Sequence, residues 1–118
     1  MNLLQRGMVI DVNLDPVKGS ETGKVRPCIV ITNNTYNARV PVIQVIPVTE
    51  WSEKKARILT NCVLEPSSDN GLEKRSVADC LQTRPIDWKS RFVRLRGSLN
   101  GTEIKALEKA LRVVFALE

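Results

Sequence analysis

From residue 8 to residue 99 the chain is written almost entirely in short apolar runs, and only its last stretch carries a helical repeat. That contrast limits the fold more than any other feature. Residues 8–14 alternate over part of their length, as a strand with one wet face does. Residues 28–32 hold a continuous apolar run, Cys28-Ile29-Val30-Ile31, which predicts a strand buried on both faces. Residues 42–48 form a third run, where Pro47 marks a strand end or a bulge. A short fourth strand, Cys62-Val63-Leu64, is closed by Pro66-Ser67-Ser68-Asp69-Asn70-Gly71. Residues 76–82 and 93–99 supply a fifth and a sixth. Asn33 to Asn37 is turn chemistry, residues 50–57 read as an exposed polar loop, and residues 84–89 as one helical turn with Pro85 near its start. At the end, Ile104, Leu107, Leu111, Val114 and Phe115 recur at helical spacing. They predict an amphipathic helix over 103–116, with Thr102 as its N-cap. Five or six short strands and one terminal helix make a mainly β fold, a small, strongly curled antiparallel sheet or open barrel.

The connection between the first two strands stands out. Residues 15–27, Asp-Pro-Val-Lys-Gly-Ser-Glu-Thr-Gly-Lys-Val-Arg-Pro, are well above hairpin length. Loops of that length without structure of their own are functional or disordered. This one mixes cations, a carboxylate, hydroxyls and glycines between two apolar strands, which is how binding loops are commonly mounted.

Length and composition narrow the chemistry. The 118 residues predict one domain, 1–118. There is no histidine, so the commonest general base and metal ligand are missing, and an enzyme of this sequence moves protons with other groups. The three cysteines, Cys28, Cys62 and Cys80, form no CxxC pair, which argues against both a disulfide framework and a zinc site. The net charge of +5 suits an anionic partner such as nucleic acid, and equally suits plain solubility. No apolar run approaches membrane-span length, and residues 1–6 are too short and polar for a signal peptide. The sequence therefore reads as cytoplasmic, with no membrane partner.

An ordered set of residues resembles the MazF/PemK family, the ribonuclease toxins of toxin–antitoxin pairs. It runs Arg6-Gly7-x-Val9, then Leu14-Asp15-Pro16-x-x-Gly19-Ser20-Glu21, Gly23 and Arg26-Pro27. Asn33, Val45-Ile46-Pro47-Val48-Thr49, Ser76-Val77, Gln82 and Ile86-Asp87-x-x-x-Arg91 follow. The resemblance implies an SH3-like barrel of the CcdB/MazF type with a C-terminal helix, assembled as a homodimer. It implies an endoribonuclease that needs no metal or other cofactor and cuts single-stranded RNA, leaving a 2′,3′-cyclic phosphate and a 5′-OH. It also implies a cognate antitoxin whose acidic, partly disordered segment lies across the active groove. A CcdB-like gyrase poison and an inactive RNA-binding barrel are the alternatives on this fold.

Attack by a 2′-OH on its neighbouring phosphate needs a base, positive charge for the transition state and an acid for the leaving 5′ oxygen. Arg26 suits the charge, since its guanidinium can donate two parallel hydrogen bonds to phosphate; the plainer reading is a surface ion pair with Glu21. Thr49 can hold a phosphate oxygen or the 2′-OH, or be an ordinary strand residue. Glu21 is the base or the residue that orients Arg26. Ser20 and the backbone N–H groups near Gly19 and Gly23 can form an anion-binding nest. Ser76 and Gln82, read as sharing a strand and a face, suit base recognition. The acid that many relatives carry before this glutamine is Leu81 here, and Asp79 is expected on Leu81's face. Lys18, Lys24, Lys54 and Lys55, with Arg57, are assigned to phosphate tracking. Trp51 either stacks on an RNA base or plugs the edge of the core or the dimer seam, and Trp88 packs.

Overall fold

A computed structural model describes residues 4–118. Among the described residues seven strands form one antiparallel sheet: β1 (Met8–Asn13), β2 (Val25–Val30), β3 (Val42–Glu50), β4 (Asn61–Leu64), β5 (Ser76–Asp79), β6 (Arg84–Asp87) and β7 (Phe92–Ser98). Their order is β4-β5-β3-β2-β1-β7, and β6 also pairs with β3. Three one-turn helices interrupt the strands: α1 (Asn34–Asn37), α2 (Glu53–Ala56) and α3 (Trp88–Arg91). The terminal helix α4 spans Gly101–Phe115. Among the described residues no helix is long and apolar enough to cross a membrane.

The apolar runs at the centre follow from burial on two faces. Val9, Ile29 and Ile46 pack into one cluster with β4, β5 and Leu107 of α4. Their neighbours Ile10, Cys28, Val30 and Val45 point the other way, into a second cluster with Leu14, Ile43 and Ile86. Side chains alternate along a strand, so a strand with a core on each side must be apolar throughout. The expectation for residues 28–31 holds for this reason.

The strand β3 has more than one partner on one of its sides. Its C-terminal end pairs with β5 (Val48 opposite Ala78) and its N-terminal end with β6 (Val45 opposite Arg84). Pro47 falls between these two ladders. Of the two expectations, a strand end or a bulge, the strand end fails: Pro47 sits inside β3, where the neighbouring ladder breaks beside it and a proline with no N–H to give is tolerated. The break is filled by a 3-10 turn, Cys80–Gln82.

Other boundaries moved for local reasons. The helix α4 begins at Gly101, not residue 103. Asn100 is its N-cap: the Asn100 side chain accepts from Glu103 N, and the Glu103 carboxylate accepts from Asn100 N. This reciprocal pair satisfies two otherwise free donors and outcompetes Thr102. Ala116 ends it in a left-handed conformation. Residues 50–57 are not a plain loop: Glu50 ends β3, and Ser52 caps α2 by accepting from Lys55 N. Residues 84–87 are strand, and the helical turn starts at Trp88. Residues 33–37 close into α1, capped by Asn33.

One ion cluster ties β1 to β7. Asp11, 5% exposed, accepts from Arg94 Nε and Arg96 Nε, both at 2.6 Å. A buried carboxylate needs such partners, and removing it leaves Nε of the mostly buried Arg96 without its acceptor, although Nη1 keeps Gly71 O and Glu73. Asp11→Ala is expected to lower unfolding free energy by roughly 3 kcal/mol, read from urea denaturation. A loss below about 0.5 kcal/mol, the size of a neutral surface change, would show that the cluster is not structural.

The buried thiols give a pH signature. Burial pushes the Cys28 thiol up to about 12, with nearby Arg84 and Arg26 opposing the rise. A folded pKa above the unfolded one stabilises the protein below the unfolded value of 9.0. That contribution is lost as pH climbs from 9.0 toward 12. Unfolding free energy should fall with pH across this window, and fall less steeply in Cys28→Ala. Equal slopes for the two proteins would refute the assignment.

Candidate active site

The second cluster's face ends in polar chemistry. The β2–β3 register sets Cys28 opposite Pro47 and Ile29 opposite Ile46. Continued by two residues, it brings Arg26 opposite Thr49, just past the edge of the core. Both line a cleft of about 910 Å³, together with Glu21, Lys24, Lys55, Asp79 and Gln82. The sequence placed Arg26 and Pro27 in the loop. They belong to β2, because β1 keeps pairing that far, with Val12 opposite Arg26 and Asp11 opposite Pro27.

Hydrogen bonds to backbone hold the β1–β2 loop over this cleft. Asp15 Oδ1 accepts from Lys24 N at 3.0 Å, and Leu14 N donates to Lys24 O at 2.9 Å. Arg91 Nη1 donates to Asn13 O and Asp15 O. Lys24 takes a left-handed φ of +67°, a conformation that costs a non-glycine residue energy and that these bonds enforce. Gly23 meets a different demand: a Cβ there would lie 2.6 Å from Asp15 Oδ1 and 2.7 Å from a Val17 methyl.

Arg26 is half committed. Its Nε donates to Gly23 O at 2.9 Å, which fixes the plane of the guanidinium. Among the described residues Nη1 and Nη2 have no hydrogen-bond or ion-pair partner, and the expected alternative, an ion pair with Glu21, does not form. Glu21 instead accepts from Lys18 N through Oε1 at 2.7 Å. Lys55 Nζ stands 3.5 Å from Thr49 Oγ1 and 3.3 Å from Glu50 O. A hydrogen bond from Lys74, helped by Lys55 and Arg26, holds the Glu50 carboxyl below the usual carboxylate range, so it stays anionic at the rim.

Gln82 needs a correction. It does not share a strand with Ser76: β5 stops at Asp79, and the 3-10 turn follows. In such a turn residues i and i+3 eclipse. Asp79 therefore faces Gln82, with Gln82 Nε2 3.3 Å from Asp79 Oδ2, and does not share Leu81's side. Gln82 Oε1 accepts from Thr22 N at 2.5 Å, and Nε2 also reaches Ser20 O at 3.4 Å. The amide expected to read a base is spent on fixing the loop.

The remaining candidates scatter. Ser20 lines an adjoining hollow. Ser76 lines a small hollow with Arg26 and Thr49, but it is buried and its hydroxyl donates to Lys74 O. Lys18 and Lys54 lie outside the cleft wall. Trp51 also lies outside it, with the Arg75 guanidinium 4.5 Å over its ring. Asp15, Glu50, Ile58 and Asn61 line the cleft without having been singled out as site residues. Glu50 was legible from its place beside Thr49, and Asp15 from its place at the loop's entry. Nothing in the sequence pattern pointed to Asn61. Among the described residues no three His, Cys, Asp or Glu side chains converge as a metal site would require.

A curled antiparallel sheet with one end helix and a loop-covered cleft that brings Arg26 and Thr49 together is a small β protein with a site for an anion. Over residues 5–115 the chain matches the PemK-like, MazF-like toxins of type II toxin-antitoxin systems, and it belongs to that family. It is 32% identical to "Endoribonuclease MazF9" of Mycobacterium tuberculosis, across 94% of this chain and 95% of that one. It is 33% identical to "Endoribonuclease MazF" of Staphylococcus saprophyticus, across 98% and 93%. The solved Mycobacterium tuberculosis toxin MazF-mt6 superposes with a TM-score of 0.75 at 25% identity, covering 96% of this chain and 99% of that chain.

The bond from Thr22 N to Gln82 is testable directly. Gln82→Ala should speed amide exchange at Thr22 about tenfold, the effect of losing one hydrogen bond of roughly 1.4 kcal/mol. Unchanged exchange in the alanine variant would mean the loop is held elsewhere.

Proposed function

We propose that the protein is the toxin of a toxin–antitoxin pair, a metal-independent, sequence-selective endoribonuclease that cuts single-stranded mRNA in the cytoplasm. The family match and the names of its 32–33% identical relatives support the class of activity. The observation that carries the mechanism is Arg26, oriented by Gly23 O and presenting two uncommitted Nη groups into the cleft.

In this reading the scissile phosphate lies between Arg26, Thr49 and Lys55. The RNA's own 2′ oxygen bonds to phosphorus as the bond to the 5′ oxygen breaks, and the leaving 5′ oxygen takes a proton from water in the open cleft, giving a 2′,3′-cyclic phosphate and a 5′-OH. Arg26 meets the charge that builds on the non-bridging oxygens, where preorganised donors act most strongly. Thr49 Oγ1 and Lys55 Nζ add donors at the same phosphate. Glu21 takes the 2′-OH proton through Oε2, the oxygen not engaged by Lys18 N. A guanidinium is built to donate paired hydrogen bonds to phosphate, so charge stabilisation is the better use of Arg26. Lys24 borders the cleft, and in this reading Lys24, with Lys18 and Lys54 from the adjoining loops, meets neighbouring phosphates. The cognate antitoxin, through an acidic segment, would compete for these same cations, and the active form is a homodimer.

The test is incubation of the protein with a long single-stranded RNA in EDTA, followed by analysis of the fragment ends. Discrete cuts with cyclic phosphate ends are expected. In Arg26→Ala the rate should fall by at least two orders of magnitude, the usual effect of removing a principal transition-state donor, with the fold intact by circular dichroism. Intact RNA with the folded wild type, or normal cutting by Arg26→Ala, would overturn the reading; gyrase inhibition without cutting would replace it.

A further inference from the structure

Beyond Gln82, on the far side from Arg26, lies a second hollow of about 650 Å³. It shares Glu21, Thr22 and Gln82 with the catalytic cleft, so the two hollows adjoin along a common wall. Its walls are of a different kind. Pro16, Pro47, Leu81 and Pro85 give it flat apolar surfaces, and Ser20 and Arg84 give it donors. Arg84 Nη1 is tied to Leu14 O at 3.0 Å, which fixes the guanidinium at the wall.

Leu81 is the informative residue. It is 65% exposed, yet it sits on a rigid turn between buried Cys80 and Gln82, which is hydrogen-bonded to the loop. An apolar side chain held in water on a rigid support loses hydrophobic free energy that covering it would recover. Gln82 has both ends of its amide engaged by the loop and leaves base recognition to a neighbour.

We propose that this hollow is a nucleobase subsite for the nucleotide adjoining the cut, and that Leu81 is a specificity-determining residue. The inference rests on the ribonuclease reading. A base has two apolar faces and a polar edge, which matches walls of proline and leucine with donors at the rim. A phosphate would find Arg84 already partly engaged, and an apolar peptide would leave the polar rim unmatched. Continuity with the cleft selects the same RNA strand as the occupant. Stacking of a base on protein surfaces tolerates sequence, so discrimination comes from fit between Leu81 and the prolines and from the edge contacts.

The test is cleavage of a set of short RNAs varied one position at a time on either side of the cut. In Leu81→Ala, KM for the preferred sequence should rise roughly tenfold, within the range for removing methylenes from an apolar pocket, and base preference should flatten at one position adjacent to the cut. Leu81→Met, which keeps the apolar area, should restore that preference. On an RNA with an abasic ribose at that position, wild type and Leu81→Ala should cut alike. If the wild type cuts RNA but Leu81→Ala keeps its full preference and KM at every position, the subsite is refuted and the ribonuclease reading stands. If the wild type cuts no RNA, the ribonuclease reading falls, and the subsite with it.

Discussion

Burial of β1, β2 and β3 on both faces is the constraint on which the rest of the structure depends. Val9, Ile29 and Ile46 face α4 and the β4–β5 hairpin side, while Ile10, Cys28 and Val45 face Ile43 and Ile86. Neither cluster is large, and the sheet must curl to close both. Curling brings the C-terminal part of β3 against β5 and its N-terminal part against β6, and so creates the break at Pro47. The 3-10 turn that fills the break carries Leu81 and Gln82, while Asp79 precedes it at the end of β5. The chemistry at the edge of the core is thus a consequence of how the core closes.

Charge in the cleft is balanced more than the net +5 suggests. Arg26, Lys24 and Lys55 face Asp15, Glu21, Glu50 and Asp79. Most of the polar atoms are engaged: Asp15 by Lys24 N, Glu21 by Lys18 N, Glu50 by Lys74. The outer nitrogens of Arg26 stand apart because Nε alone is anchored. A donor pair fixed in direction but unpaired is prepared for an anion, and no reorganisation is needed when charge develops.

The loop shows how a strained conformation is held. Lys24 at φ +67° and close packing at Gly23 are sustained by hydrogen bonds in which Asp15 accepts from Lys24 N, Gln82 accepts from Thr22 N and Arg91 donates to Asp15 O, groups that come from three separate parts of the chain. Strain of this sort persists only where surroundings over-determine it.

What the sequence by itself determined was the set of local facts: central strands from continuous apolar runs, the terminal helix from its repeat, the long loop from its length and composition, and Arg26 with Thr49 from the resemblance. Local patterns carry these because alternation and helical period depend only on near neighbours. What only the tertiary structure decided was partnership. Asp79 facing Gln82, Gln82 joined to the loop about 60 residues away, Arg26 free of Glu21, and Asn61 at the cleft all follow from where β5 stops and how the sheet curls. A residue's hydrogen-bond partner is fixed by long-range packing, and no spacing in the chain encodes it. Even the error over Ser76 has this origin: period-2 reasoning is sound within a strand, and the strand ended three residues short of Gln82 because the sheet changed partners there.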